Sequence, residues 1–201
     1  MTTFWEDNFR EKKEMWGFAP ARSAVMASRL FAEQGGKKVL VPGFGYGRNA
    51  QVFREQGMAV TGIEISQTAI EMARQHYGTD MIIYYGSVTG MPFDHEQYDG
   101  VFCYALIHLL DSDERKKLVR DCYDQLAAGG YMVFTAISKE AHTYGKGEYI
   151  SEDRYEVFAG VPMYFYDRAS VQAEFGDAGL IDITEVEESY PFYFITCRKE
   201  K

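Results

Sequence analysis

What the sequence lacks narrows it first. Among 201 residues it has three cysteines, Cys103, Cys122 and Cys197, neither even in number nor at CxxC spacing. That argues against a disulfide framework or a zinc knuckle and predicts buried thiols. It has no Pro/Gly/Ser-rich linker, no low-complexity tract and no internal repeat, so one domain over residues 1–201 is expected. No apolar run approaches the roughly 20 residues that span a bilayer. The opening "MTTFWEDNFREKK" lacks the apolar core of a secretory signal, so a cytoplasmic chain with no membrane partner is expected. Positive charge is in deficit, 21 Lys and Arg against 30 Asp and Glu, net -9. Nucleic-acid binding relies on phosphate neutralisation by clustered basic residues, so the chemistry points to a small molecule instead. Histidine is scarce at four, and no His, Asp and Glu cluster has metal-ligand spacing, so no metal is expected.

What is present alternates. After Pro20, "ARSAVMASRLFAEQGG" reads as a helix ended by Gly35-Gly36, which makes residues 1–36 an N-terminal helical cap. "KKVLVPG" reads as a strand, "NAQVFREQG" as a helix and "MAVTGIEI" as a strand. Ser66 caps the helix "QTAIEMARQHYG". "DMIIYYGS" and "YDGVFCYALI" are apolar on consecutive positions, as strands buried on both faces should be. Asp111 with Glu114 forms a capping-box start to "SDERKKLVRDCYDQLAAGG", which leads into the strand "YMVFTAI". This β, α rhythm predicts an α/β doubly wound, mostly parallel sheet with helices on both faces. Residues 138–166 break it, as an irregular insertion long enough to cover a substrate. The helix "DRASVQAEFGDAGL" follows. "IDITEVEE" and "FYFITCRK" are then too close in sequence for a parallel crossover, so the sheet ends in an antiparallel hairpin.

"KVLVPGFGYGRNA", Lys38 to Ala50, couples a strand to a helix start through Gly43, Gly45 and Gly47. Such a turn offers backbone N–H groups and close approach to a ligand. The third glycine of the dinucleotide fingerprint is replaced by Arg48, and there is no Walker lysine, so the ligand should lack a pyrophosphate. Glu64 closes the next strand about 20 residues on, where a carboxylate can accept both hydroxyls of a ribose. A nucleoside ligand over the strand ends is the reading these residues support.

These motifs resemble the class I (Rossmann-like) S-adenosylmethionine-dependent methyltransferases over about residues 37–198. "VLVPGFGYGRN" looks like their glycine motif and "VTGIEIS" like their ribose-binding acid. "GSVTGMPF" is similar to their adenine-contact segment, "YDGVFCYALIHLL" to their fourth strand and its loop, and "LAAGGYMVF" to their fifth strand. The resemblance implies a seven-stranded sheet and S-adenosyl-L-methionine as cofactor. It implies that Gly43, Gly45 and Gly47 pass beneath the methionine part, Glu64 binds the ribose, Ile65 and Val88 sandwich the adenine, Ser87 lies at its edge, and Tyr104 and Ala105 border the sulfonium. Val41 and Ser87 depart from the acids many members carry there.

Trp16 and Arg22, in and after an aromatic-rich stretch, are candidates to cover this cofactor and hold its carboxylate, since an aromatic face attracts a cationic sulfonium. His108, His142, Tyr149 and Tyr164 are candidates to face a methyl acceptor, with a structural hydrogen bond the alternative for His108. In-line displacement from a sulfonium can proceed by positioning, so no dedicated base is required. The expected function is methyl transfer to a small-molecule O, N or S nucleophile. A non-catalytic S-adenosylmethionine or S-adenosylhomocysteine binder and an NAD-dependent oxidoreductase are the rivals.

Overall fold

The computed structural model describes residues 2–158 and 160–201. Two helices, α1 (Thr2–Lys12) and α2 (Arg22–Glu33), precede the sheet. Strands β1 (Lys38–Pro42), β2 (Ala59–Glu64), β3 (Ile82–Tyr85), β4 (Tyr98–Cys103) and β5 (Leu126–Ile137) alternate with helices α3 (Gln51–Glu55), α4 (Gln67–Tyr77) and α5 (Ser112–Asp124). Strand order is β3-β2-β1-β4-β5, all parallel. It continues through β10 (Pro191–Arg198), antiparallel to β5, to β9 (Leu180–Glu187) at the edge. The doubly wound sheet and its closing hairpin are as expected from the sequence.

The runs of consecutive apolar residues have a simple cause. Along β1, Val39 and Val41 face a core with Ala24, Ala27 and Phe31 of α2 and Phe53 of α3. Leu40 between them faces the opposite core, with Leu118 and Cys122 of α5 and with Val171 and Phe175 of α6 (Arg168–Phe175). Successive side chains on a strand point to opposite faces, and here both faces are covered. The Asp111–Glu114 capping box at the start of α5 is formed, as is the Ser66 cap of α4.

Residues 138–166 are not irregular. They carry a three-stranded antiparallel sheet of β6 (Glu148–Ser151), β7 (Arg154–Phe158) and β8 (Val161–Tyr164). Each strand has only four or five residues, β6 is exposed along its whole length and β7 is exposed or half-buried, so no alternation of apolar and polar marks them. The excursion leaves and rejoins the body at one point, where Ser138 pairs with Tyr166 beside the end of β5. Lys139 fastens it there, with Nζ 2.7 Å from carboxylate oxygens of both Asp153 and Asp167. β8 packs on the 3₁₀ turn Ile107–Leu109 that follows β4, which sets the small sheet beside the ends of β4 and β5.

Candidate cofactor and acceptor site

The winding of the sheet reverses between β1 and β4, and ligands of open α/β sheets bind outside the strand ends at such a point. The loop leaving β1 holds Gly43, Gly45 and Gly47 at φ of +72°, +57° and +86°. At Gly45 a Cβ would meet nothing nearer than Phe9 at 4.0 Å, so that glycine is there for its left-handed backbone rather than for space. Space is the issue one strand away, where a Cβ on Gly62 would lie 2.3 Å from the Phe44 ring that props the loop from below. The N–H groups of Gly43 and Phe44 both donate to the Ile63 carbonyl, and that of Gly45 donates to Glu64. The expected open row of donors is thus spent inside the protein, which suits a ligand without phosphates.

Glu64, ending β2, is 5% exposed. Its Oε2 accepts from Gly45 N–H at 2.6 Å and its Oε1 from Ser66 N–H at 2.9 Å. Among the described residues no cation pairs with it, and burial raises its pKa above the ordinary 4.5. Each oxygen keeps a lone pair. Beside it, Glu6 of α1 accepts from the Ser66 and Thr68 hydroxyls, which draws α1 onto the start of α4. Ile65 is half-buried and Val88 buried, flanking the same strand ends. The Ser87 hydroxyl caps the 3₁₀ turn Val88–Gly90 through Thr89 N–H.

Tyr104, Ala105 and Leu106 follow β4. Ala105 takes φ +49°, a rare value for a residue with a Cβ, and its N–H donates to the buried Thr135 hydroxyl at 2.8 Å. Strain of this kind collects at functional sites. Leu106 packs against Gly43 and joins the β4 loop to the glycine loop. The Tyr104 hydroxyl donates to Glu188 Oε2 at 2.7 Å, while Glu188 Oε1 accepts from both the N–H and the hydroxyl of Ser23, each at 2.7 Å. Arg48 lies 5.8 Å from the Tyr104 ring centroid and donates to the Trp16 carbonyl at 2.8 Å.

The remaining sequence candidates fall in different places. Trp16 is 44% exposed and stacks on Tyr46 of the glycine loop, at 6.3 Å between centroids. Arg22 is exposed at the start of α2 and forms no ion pair among the described residues; Arg48 is the cation facing Tyr104. His108 is buried, its Nδ1 accepts from Ile137 N–H at 3.4 Å, and burial lowers its pKa to about 3, so it takes the structural alternative. Tyr164 is stacked under Arg115 at 3.9 Å, on the α5 side. Tyr149, 66% exposed, sits on the edge strand β6. His142 does reach the hairpin that carries Glu188, stacking on Tyr190 at 5.6 Å. Arg48 and Glu188 were missed as site residues: the first had a signal, in its replacement of a glycine, while the second is one acid in the run "EVEES". A groove of about 410 Å³ lies beside α3, lined by Phe18, Arg48, Gln51, His76 and Tyr77 among others, and Tyr77 packs against Gly47 of the glycine loop.

A doubly wound domain with a spent glycine loop, a strand-end carboxylate and an antiparallel final hairpin defines a Rossmann-like, nucleoside-binding class of protein. Residues 40–134 match the family described as "Methyltransferase domain". That match spans just under half of the chain, and the chain as a whole has the fold of the class I S-adenosylmethionine-dependent methyltransferases. It is 28% identical over 147 residues to a ubiquinone biosynthesis O-methyltransferase of Pseudomonas entomophila (strain L48), a match covering 70% of this chain and 60% of that protein. It is 26% identical over 145 residues to the O-methyltransferase resE of Aspergillus sclerotiorum, covering 69% and 53%. The chain thus matches only about half to three-fifths of the length of these curated relatives. Among solved structures, a Burkholderia thailandensis 1,6-didemethyltoxoflavin-N1-methyltransferase, with bound 1,6-didemethyltoxoflavin and S-adenosylhomocysteine, superposes with a TM-score of 0.77 at 17% identity. That match covers 100% of this chain and 87% of the other. The CcbJ methyltransferase of Streptomyces caelestis gives 0.75 at 18%, covering 100% of both chains. At such identities the likeness is one of fold.

Proposed function

We propose that this chain binds S-adenosyl-L-methionine and transfers its methyl group to a small-molecule O, N or S nucleophile by direct displacement. The observation that carries the reading is Glu64: a carboxylate buried at a strand end, hydrogen-bonded to the Gly45 and Ser66 N–H groups and with no cation among the described residues, that has lone pairs left for ribose hydroxyls. The bound cofactor supplies an electrophilic methyl on a sulfonium. The protein's part is to hold the ribose on Glu64, the adenine between Ile65 and Val88 with Ser87 at its edge, and the methionine part between Gly43 and Tyr104-Ala105. The acceptor is then brought into line under the sheet of residues 148–164, and positioning of this kind accounts for much of the rate. Three free, buried cysteines fit a reducing, cytoplasmic compartment.

A thermal-shift panel of S-adenosylmethionine, S-adenosylhomocysteine, NAD and ATP tests the cofactor. S-adenosylhomocysteine should stabilise the fold, by about 2.7 kcal/mol at 100 times its dissociation constant, and NAD should not. Stabilisation by NAD with none from S-adenosylhomocysteine would refute the reading. Labelled-methyl transfer into a small-molecule extract then separates an enzyme from a binder.

A further inference from the structure

Three elements distant in sequence converge on Glu188. It lies in the turn between β9 and β10, its Oε1 takes both donors of Ser23 in the first turn of α2, and its Oε2 takes the Tyr104 proton at the end of β4. The cap residue of α2, Ala21, offers no side-chain acceptor, so Glu188 acts as that helix's cap from across the fold. A helix N-terminus also favours a negative charge. Capping accounts for Oε1. It does not account for Oε2, which is aimed at a hydroxyl on the strand end where the winding reverses, one residue before the strained Ala105.

The direction of that bond has a chemical consequence. A phenol has one proton, and the Tyr104 proton is committed to Glu188, so Tyr104 Oη can only accept from whatever else approaches. Burial and the adjacent carboxylate raise the Tyr104 pKa, which keeps the proton in place. The other charged group facing Tyr104 is the Arg48 guanidinium, whose charge and hydrogen bond to the hydroxyl act in the opposite sense without outweighing burial, and His142 reaches the same turn through Tyr190.

Given methyl transfer at this site, we propose that the acceptor is a neutral hydroxyl or amine whose proton leaves through Tyr104 to Glu188. The acceptor's O or N forms a bond to the methyl carbon, the carbon–sulfur bond breaks, and its electron pair stays on sulfur. The acceptor's proton passes to Tyr104 Oη as Tyr104's own proton passes to Glu188 Oε2, and Glu188 later releases it to solvent. Tyr104 touches the acceptor, and Glu188 is a positioning residue acting through it. A thiolate or a carboxylate acceptor arrives already ionised and has no use for this path.

Glu188→Gln separates relay from cap. The amide keeps an oxygen for Ser23 and turns an N–H toward Tyr104, which reverses that one hydrogen bond. Labelled S-adenosylmethionine and a small-molecule extract serve as probes, with the labelled product identified and its unmethylated parent used as substrate. The product should be an O- or N-methyl compound. Glu188→Gln and Tyr104→Phe should each lower kcat at least tenfold, and the double variant no further, while in Glu188→Gln the KM for the acceptor and S-adenosylhomocysteine affinity stay within threefold. Loss of S-adenosylhomocysteine affinity with unchanged kcat would leave Glu188 a cap and nothing more. An S-methyl or methyl-ester product would overturn the acceptor class. No labelled product at all would remove the transferase reading itself, and this inference with it.

Discussion

Glu64 sits where a carboxylate is costly, since burial opposes its charge and Glu6 repels it, and the backbone N–H groups of Ser66, Gly45 and Ile65 only partly answer it. Its pKa in the folded chain is therefore above 4.5, and the folded state holds the proton more tightly than the unfolded one. The sign follows from linkage. Whatever Glu64 contributes to stability is fully present below its unfolded pKa and is lost as pH rises through the raised value. Ribose hydroxyls donate to the ionised form, so binding should expel a proton wherever Glu64 is still protonated. The affinity for S-adenosylhomocysteine should accordingly rise, by up to about tenfold per pH unit, until Glu64 has titrated and then level off. Glu64→Gln should erase this slope and weaken binding at pH 8 by about tenfold or more, roughly 1.4 kcal/mol. Calorimetry from pH 5 to 8 measures both. A wild-type slope that survives in the variant, with equal affinity at pH 8, would place the ribose elsewhere.

At the scale of elements, the small sheet of β6 to β8 is held to the body by a compact clamp. Lys139 bridges Asp153 in the β6–β7 turn and Asp167 at the start of α6, and the Tyr144 hydroxyl donates to Asp153 at 2.7 Å. Asp167 also caps α6 through Ser170 N–H, and Lys139 with that N–H holds its pKa down to about 2. Lys139→Met should loosen the sheet without unfolding the domain. Partly exposed ion pairs are worth about 1 kcal/mol, so amides of residues 148–164 should exchange about fivefold faster while those of β1 and β4 stay unchanged. Uniform acceleration throughout would mean that this small sheet is not a separate unit. This sheet was also what the sequence concealed. The parallel strands were legible because each buries both faces and so reads as an unbroken apolar run. β6 buries neither face, and its pairing with β7 is fixed by the turn at Asp153 (φ +58°) rather than by hydrophobic pattern. The site divides likewise. Gly43, Gly45 and Glu64 belong to contiguous motifs and could be read. The placing of Arg48 and Glu188 against Tyr104 depends on how α2, β4 and the last hairpin come together, and no spacing along the chain encodes it.

For the molecule as a whole, the three cysteines report on cooperativity. Cys103 ends β4, Cys122 lies in α5 and Cys197 in β10, and all three are buried in the core between the sheet and α5 and α6. Burial pushes each thiol's pKa up, that of Cys197 to about 12, and the thiolate is the reactive species. Labelling by an aromatic disulfide reagent therefore requires the face to open. If that face opens only with the whole domain, a ligand that binds the folded state alone should suppress labelling by its full binding factor. At 100 times its dissociation constant, S-adenosylhomocysteine should slow all three cysteines about 100-fold, equivalent to about 2.7 kcal/mol, under conditions where reclosing outpaces labelling. NAD should leave the rates alone. Mass spectrometry of each cysteine peptide distinguishes the outcomes, because the sheet joins parallel strands that carry the proposed nucleoside site to an antiparallel hairpin that carries Glu188. Equal protection at Cys103 and Cys197 means that the two halves stand or fall together, as a site assembled from both requires. Fast, ligand-insensitive labelling of Cys197 beside a protected Cys103 would mean that the hairpin opens by itself, taking Glu188 away from Tyr104 while the cofactor end stays folded.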